Sequence, residues 1–328
     1  MKFVIGKYKW PILYFTYGLV TFPFYYNTLS NGLDSSWAYL LNKLSLTRFK
    51  YGRYIVLTFG PLGFFEGPMN INGRIWPALF YLAFVFISQV WFFSKLSQKR
   101  GLRICIIFTV ILFLANPASL SDHYMLYCFF MTLAMYWEGI DDKYTLVVLT
   151  ILSGVGFLEK FTISMVTFVT LIVFSVVMTV LKQYKSLWKF LFPLFSGPVF
   201  YLIYNPSLTD LKWYIRGGLE ISSGYSSGMS VDAYDSYVPW IVIMMIIYII
   251  MFIYLLFLKE LRNAGLLLWM GPNLFMLYKH GFVRADGHWM TGYLGIVAFF
   301  ALLIFLFDYS RMEEALIGDT DKKGIILG

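Results

Sequence analysis

Within ten residues, Lys279, His280, Arg284, Asp286 and His288 bring four cationic or titratable side chains and one carboxylate between two apolar runs. An ionisable side chain at bilayer depth costs about 2.5–3.5 kcal/mol on insertion scales, so a chain this apolar keeps one for a reason. Such a group could grip a phosphate, with Arg284 meeting two oxygens through its planar fork and Asp286 orienting the guanidinium or a histidine. The competing reading is anchoring, because Lys and Arg snorkel to the headgroups; Asp286 and the histidines make poor anchors. Asp286 and His288 do not form a metal site by themselves, since two ligands at i, i+2 leave the coordination sphere unfilled.

Three other places carry candidate chemistry. Asp34 stands where a surface helix begins, either as an N-cap or as a general base that deprotonates an acceptor hydroxyl. Asp122, in Ser121-Asp122-His123, is either a capping residue in box-like spacing with Ser119 or a second acid facing Asp34. Glu159-Lys160 is either a self-contained ion pair or a source of one cation, Lys160, for an anionic lipid headgroup. Arg53, His123, Glu159, Tyr225 and Asp286 are supporting candidates. Serine-triad, zincin, P-loop and Rossmann patterns are absent.

The elements that hold these residues follow from composition. The chain has 328 residues, 59% hydrophobic, 21% aromatic and only 13% charged, against about 25% charged in ordinary soluble chains. Apolar runs of about 17–25 residues read as membrane helices, because backbone groups in lipid have no water to bond. Ten are expected, near 9–28, 75–94, 103–116, 123–137, 143–158, 162–181, 189–205, 237–258, 264–279 and 289–307. The fold class is therefore all-α, a polytopic helix bundle. The first run lacks a small-residue cleavage site and is expected to stay as a helix. Cys105 and Cys128 lie inside apolar runs and suggest neither a disulfide framework nor a metal site.

Lys and Arg mark the cytoplasmic side. Lys2, Lys7 and Lys9, then Lys95, Lys99, Arg100 and Arg103, then Lys182, Lys185 and Lys189, then Lys259 and Arg262 all fall on one side if the amino terminus is inside. These loops account for the net charge of +8 without nucleic-acid binding. The loop of Glu138, Asp141, Asp142 and Lys143 is the exception. The opposite, extracytoplasmic side receives loop 29–74, turn 117–122, Glu159-Lys160, loop 206–236 and loop 280–288, which hold all the candidate chemistry. Residues 1–308 thus form one transmembrane module, with 309–328 as a short cytoplasmic tail.

The two long loops have their own pattern. Trp37, Leu40, Leu41 and Leu44 repeat at helical spacing and predict an amphipathic helix on the membrane surface. Gly and Pro between Gly52 and Pro68 predict tight turns. Leu208, Leu211, Ile215 and Leu219 predict a second surface helix, ending in a flexible polar segment from Gly224 to Ser230.

With these residues in view, the chain resembles the GT-C superfamily of polytopic glycosyltransferases. Asp34 matches the acidic residue of their long first extracytoplasmic loop. Asp122 resembles an acid that opens a later span on the same face. Gly154-Val155-Gly156-Phe157-Leu158-Glu159-Lys160-Phe161 is similar to a recurrent stretch there. Gly52–Phe65, Ile221–Ser230 and Lys279–His288 are similar to a bacterial multi-pass membrane family that carries no named activity. The resemblance implies an inner-membrane transferase that moves a sugar from a polyprenyl-phosphate donor to an envelope glycan, lipid or protein acceptor. Asp34 would be the base and Asp122 a positioning acid, while Lys160, Lys279, His280, Arg284 and His288 hold the departing phosphate. Ser-Ser follows Asp34 where the superfamily has a second acid, so paired carboxylates for a divalent metal are missing and no cofactor is expected. Implied partners are the lipid-linked donor, membrane lipids and proteins of polysaccharide assembly. Two alternatives stand beside this reading: a carrier or flippase of a lipid-linked or anionic substrate, and a non-catalytic subunit of a polysaccharide machine.

Overall fold

The computed structural model describes residues 2–23, 28–47, 50–115, 121–140, 143–229, 238–282 and 288–310. Twelve α-helices run through them: α1 (Lys2–Thr21), α2 (Leu33–Leu44), α3 (Ile75–Arg100), α4 (Leu102–Ala115), α5 (Ser121–Trp137), α6 (Lys143–Glu159), α7 (Phe161–Val180), α8 (Leu191–Tyr204), α9 (Leu208–Met229), α10 (Val238–Phe257), α11 (Leu261–Phe282) and α12 (His288–Leu306). The protein is an all-α bundle. A helix lies in the described part of each of the ten apolar stretches, and the two extra helices, α2 and α9, are the expected amphipathic ones. Four segments are long and apolar enough to cross a membrane: Ile75–Arg100, Phe161–Val180, Leu187–Tyr204 and Pro239–Phe257. Ile246, Ile247, Ile250 and Phe257 on α10 are all at least half exposed. A continuous apolar face of that kind belongs against lipid rather than water.

Some boundaries differ from the sequence expectation, each for a local reason. Helix α1 runs from Lys2 to Thr21 rather than from 9 to 28. It stops short of Pro23, since a proline excludes the helical conformation from the residue before it. Helix α3 extends to Arg100, with Gly101 at φ 85 as its stop. Lys99 and Arg100 therefore sit in its last turn, where cations favour the negative end of the helix dipole.

The core is built around α5. From His123 to Glu138 every residue is buried, the pattern of a helix surrounded by others. Phe130, Trp137 and Phe174 pack on Trp269 of α11. Helices α6 and α8 approach closely through glycines, the packing expected between helices in lipid. A Cβ on Gly154 would lie 2.6 Å from the Phe200 ring, and one on Gly197 would lie 2.7 Å from Phe157.

At one end of the bundle, the basic end, the described cations Lys99, Arg100 and Arg262 gather on Glu138. Glu138 has only 3% of its side chain exposed, and it pairs with Arg100, with Lys99 at 3.2 Å and with Arg262 at 3.7 Å. Arg100 also donates to the carbonyls of Phe307 (3.0 Å) and Leu306 (2.7 Å). Arg262 donates to Trp137 O at 2.6 Å. Asn263 and the Asp308 backbone exchange two 3.1 Å bonds. The carbonyls left unpaired at the carboxyl ends of α5 and α12 are thus satisfied by cations. The non-basic loop that broke the charge pattern contributes the counter-ion for the basic residues around it.

Candidate functional site

The opposite end, the loop end, carries the candidate residues. Its frame is the break between α6 and α7, where Lys160 is extended at φ −150, ψ 123. A helix break leaves orphan carbonyls before it and orphan N–H groups after it. Loop 51–69 satisfies them. Gly60 N–H donates to Glu159 O (3.0 Å), Leu62 N–H to Leu158 O (2.8 Å), and Phe161 N–H to Thr58 O (2.9 Å). Phe59 and Lys160 form an antiparallel bridge. The Tyr214 hydroxyl of α9 donates to Phe157 O at 2.7 Å. Burial holds the Tyr214 and Tyr51 hydroxyls well above the usual tyrosine range, so both stay neutral.

Helix α2 is docked on the same loop. Leu41 packs with Phe64 and Phe65. Asn42 is fully buried; its amide donates to Gly67 O at 2.8 Å and its carbonyl accepts from Met69 N–H at 3.1 Å. The N-cap of α2 is Gly32, with no side-chain cap bond, so Asp34 is a first-turn residue rather than the cap. Asp122 likewise lies one residue inside α5.

Helix α9 differs from its expected form. It is helical through Gly224 to Met229, where the sequence predicts a flexible polar segment; Ser230 lies outside the described residues. Its buried face is Asp210, Leu211, Tyr214, Gly217 and Gly218, while Leu208 and Leu219 are exposed. The glycines set this face: a Cβ on Gly218 would lie 2.4 Å from the Phe161 ring, and one on Gly217 would lie 3.0 Å from Val56. Glycine contact sets the side that turns inward, while Leu208 and Leu219 of the apolar stripe stay exposed, as a helix on a membrane surface requires.

Three of the described cations, Lys50, Arg53 and Lys279, reach α9. Arg53 and Lys50 reach Asp210 near its start, each at 3.9 Å. Lys160 pairs with Glu66 at 3.2 Å and lies 5.2 Å from the centre of the Phe59 ring; the next residue, Phe161, packs its ring on Gly218 of α9. Lys279, on the last turn of α11, donates to Ser222 O at 3.0 Å. Positions 218 and 222 are about 6 Å apart along a helix, and 210 and 222 about 18 Å. Lys279 and the Phe161 ring therefore meet neighbouring turns of α9, while Lys160 turns to loop 51–69 and Arg53 to the start of α9. Glu159 is 1% exposed and His123 8% exposed. Arg284 and Asp286 lie outside the described residues, as do the side chains of Asp34, Asp122, Tyr225, His280 and His288.

Two acids escaped the sequence reading. Asp210 is 1% exposed and accepts from Asn205 at 3.1 Å, and its N–H donates to Ser207 Oγ at 3.2 Å. The Ser207-x-x-Asp210 spacing was a legible capping signal. Glu66, inside Glu66-Gly67-Pro68, read only as turn punctuation. Among the described residues no group of three or more His, Cys, Asp or Glu side chains is placed to hold a metal ion. Comparisons with family models, curated proteins and solved structures give no match to this chain.

Proposed function

We propose that the protein is a membrane glycosyltransferase of GT-C type. It crosses the inner membrane about ten times with its amino terminus in the cytoplasm. At the extracytoplasmic loop end it moves a sugar from a polyprenyl-phosphate donor to an envelope acceptor. One observation carries the reading: loop 51–69, the α6–α7 break, α9 and the end of α11 meet at one end of the bundle, and bring Lys50, Arg53, Lys160 and Lys279 to it. The Glu138 cluster belongs to the other end. A lipid-linked phosphate level with the headgroups would be met there by fixed cations, which is the electrostatic stabilisation a departing phosphate needs. Asp34 acts as the base and Asp122 positions the acceptor. Arg284, His280 and His288 complete the hold on the phosphate.

The orientation has its own check. Cysteines placed at Asn72 and Ser222 are expected to react with an impermeant thiol reagent added outside intact cells, and one at Gln98 is not. Labelling at Gln98 would invert the assignment of faces.

The reaction is tested in nanodiscs with a polyprenyl-phosphate sugar, with product read by mass spectrometry alongside envelope glycans from cells with and without the protein. Asp34→Asn keeps the shape and removes the proton acceptor, and is expected to slow transfer about a hundredfold with donor binding retained. The pairing of Lys160 with Glu66 and of Arg53 with Asp210 favours a second reading, a non-catalytic subunit of a polysaccharide machine whose cations serve structure. Near-normal glycans in cells lacking the transfer activity, or full turnover in Asp34→Asn, would support that reading instead.

A further inference from the structure

Beneath the loop end, between α5, α11 and α12, lies a small cavity with about 20 Å³ of space open to the centre of a water molecule. That is room for one water, which needs about 10–15 Å³ so measured. Most of the wall is leucine, phenylalanine and alanine, but three polar residues join it: His123, Tyr127 and Asn273. The Tyr127 hydroxyl and the Asn273 side-chain carbonyl are both buried with no hydrogen-bond partner among the described residues. His123 stands one helical turn above Tyr127 on α5. Gly295 of α12 leaves space for its ring: a Cβ there would lie 3.3 Å from both Cε1 and Nδ1.

Two residues on the wall of one small cavity, each carrying an orphaned polar atom, are unlike the lining of a dry void. Cavities that stay empty are apolar, whereas buried water sits where two to four polar groups converge. A carbonyl oxygen can only accept, and a tyrosine hydroxyl can donate or accept. One molecule that donates to Asn273 and exchanges a bond with Tyr127 satisfies both. A metal cation is the wrong occupant, because no carboxylate lines the cavity and an uncompensated charge in this medium is far more costly than a neutral ligand.

We propose that this cavity is a binding site for a single water molecule, which bridges Tyr127 of α5 to Asn273 of α11, with the His123 ring on its wall. Tyr127 lies about 9 Å along α5 from its start, and Asn273 about 13 Å from the end of α11. The bridge therefore ties two helices together inside the bundle, next to Pro272, where α11 lacks one of its own hydrogen bonds. This site does not depend on the transferase reading.

The sign of a stability change tests it in the full-length protein in nanodiscs. Removing one partner of a bridged pair leaves the other polar group unsatisfied and is costly, while replacing both by apolar groups is nearly neutral. Tyr127→Phe and Asn273→Leu are each expected to lower Tm by about 2–4 °C, and the double variant is expected to lose less than the sum. If the cavity is dry, each single change removes an orphaned polar atom, and Tm stays level or rises. That result, or a double variant equal to the sum of the singles, would overturn the proposal. An experimental density map at about 2 Å resolution gives an independent reading: density between Tyr127 Oη and Asn273 Oδ1 is expected, and a clear map without it refutes the site.

Discussion

Glu138→Ala is expected to destabilise the protein by about 3–5 kcal/mol, the cost of breaking a buried ion cluster by removing one partner. The carboxylate is almost wholly buried between Arg100 and Arg262, whose side chains are only 13% and 19% exposed. Without it, two guanidinium groups face each other in a poorly solvated site. Lys99 is half exposed, and its pairing is discounted because water and salt screen it. The effect should spread along the bundle, since Arg100 also holds the end of α12 and Arg262 the end of α5. Glu138→Gln keeps the shape and some hydrogen bonding, and should retain part of the stability. Thermal or denaturant unfolding in detergent measures both. A Glu138→Ala protein within 1 kcal/mol of wild type would show that the cluster contributes little beyond surface pairs.

Gly52→Ala is expected to detach the turn at 50–55 from α9, at a cost of about 3 kcal/mol in local stability. The first contribution is conformational: Gly52 has φ +85, where a side chain costs about 1–2 kcal/mol. The second is steric. A Cβ would lie 2.2 Å from the Tyr214 backbone nitrogen, and a helix backbone cannot swing aside as a side-chain tip can. Separation would loosen the Lys50 and Arg53 contacts with buried Asp210 and the bond from the Tyr201 hydroxyl to Tyr51 O (3.1 Å). Amide hydrogen exchange reads the change locally. Residues 50–62 and 208–216 should exchange about a hundredfold faster, since 1.4 kcal/mol is a factor of ten. Gly73→Ala is the control. Its φ is +74, but its Cβ would meet only the Trp76 ring at 3.9 Å, so it carries the conformational cost without the clash. Equal behaviour of the two variants would remove the close approach from the account.

Hydropathy alone marked the ten apolar helices, because a segment deprived of water must bond its own backbone, and residue spacing marked α2 and α9; the bounds of α1 and α9 came only with the structure. Lys and Arg placement also separated the two ends, since charges at helix termini are confined to the bundle's ends. The chemistry at those ends was legible only as residue types. That Lys160 meets Glu66, 94 residues away, could not be read from a neighbouring Glu159. The buried role of Asp210 could not be read either, because its cations come from a turn more than 150 residues earlier. Glu138 looked like a defect in the charge pattern until three cations from α3 and α11 were seen around it. The leucine stripe marked α9 as a surface helix, but its protein-facing side was set by glycine contacts with Phe161 and Val56. Periodicity is a property of one segment and its solvent, so the chain alone carries it. Which charges neutralise one another, which glycines permit contact and which polar atoms share a cavity depend on distances between remote segments, and those distances exist only once the helices have packed.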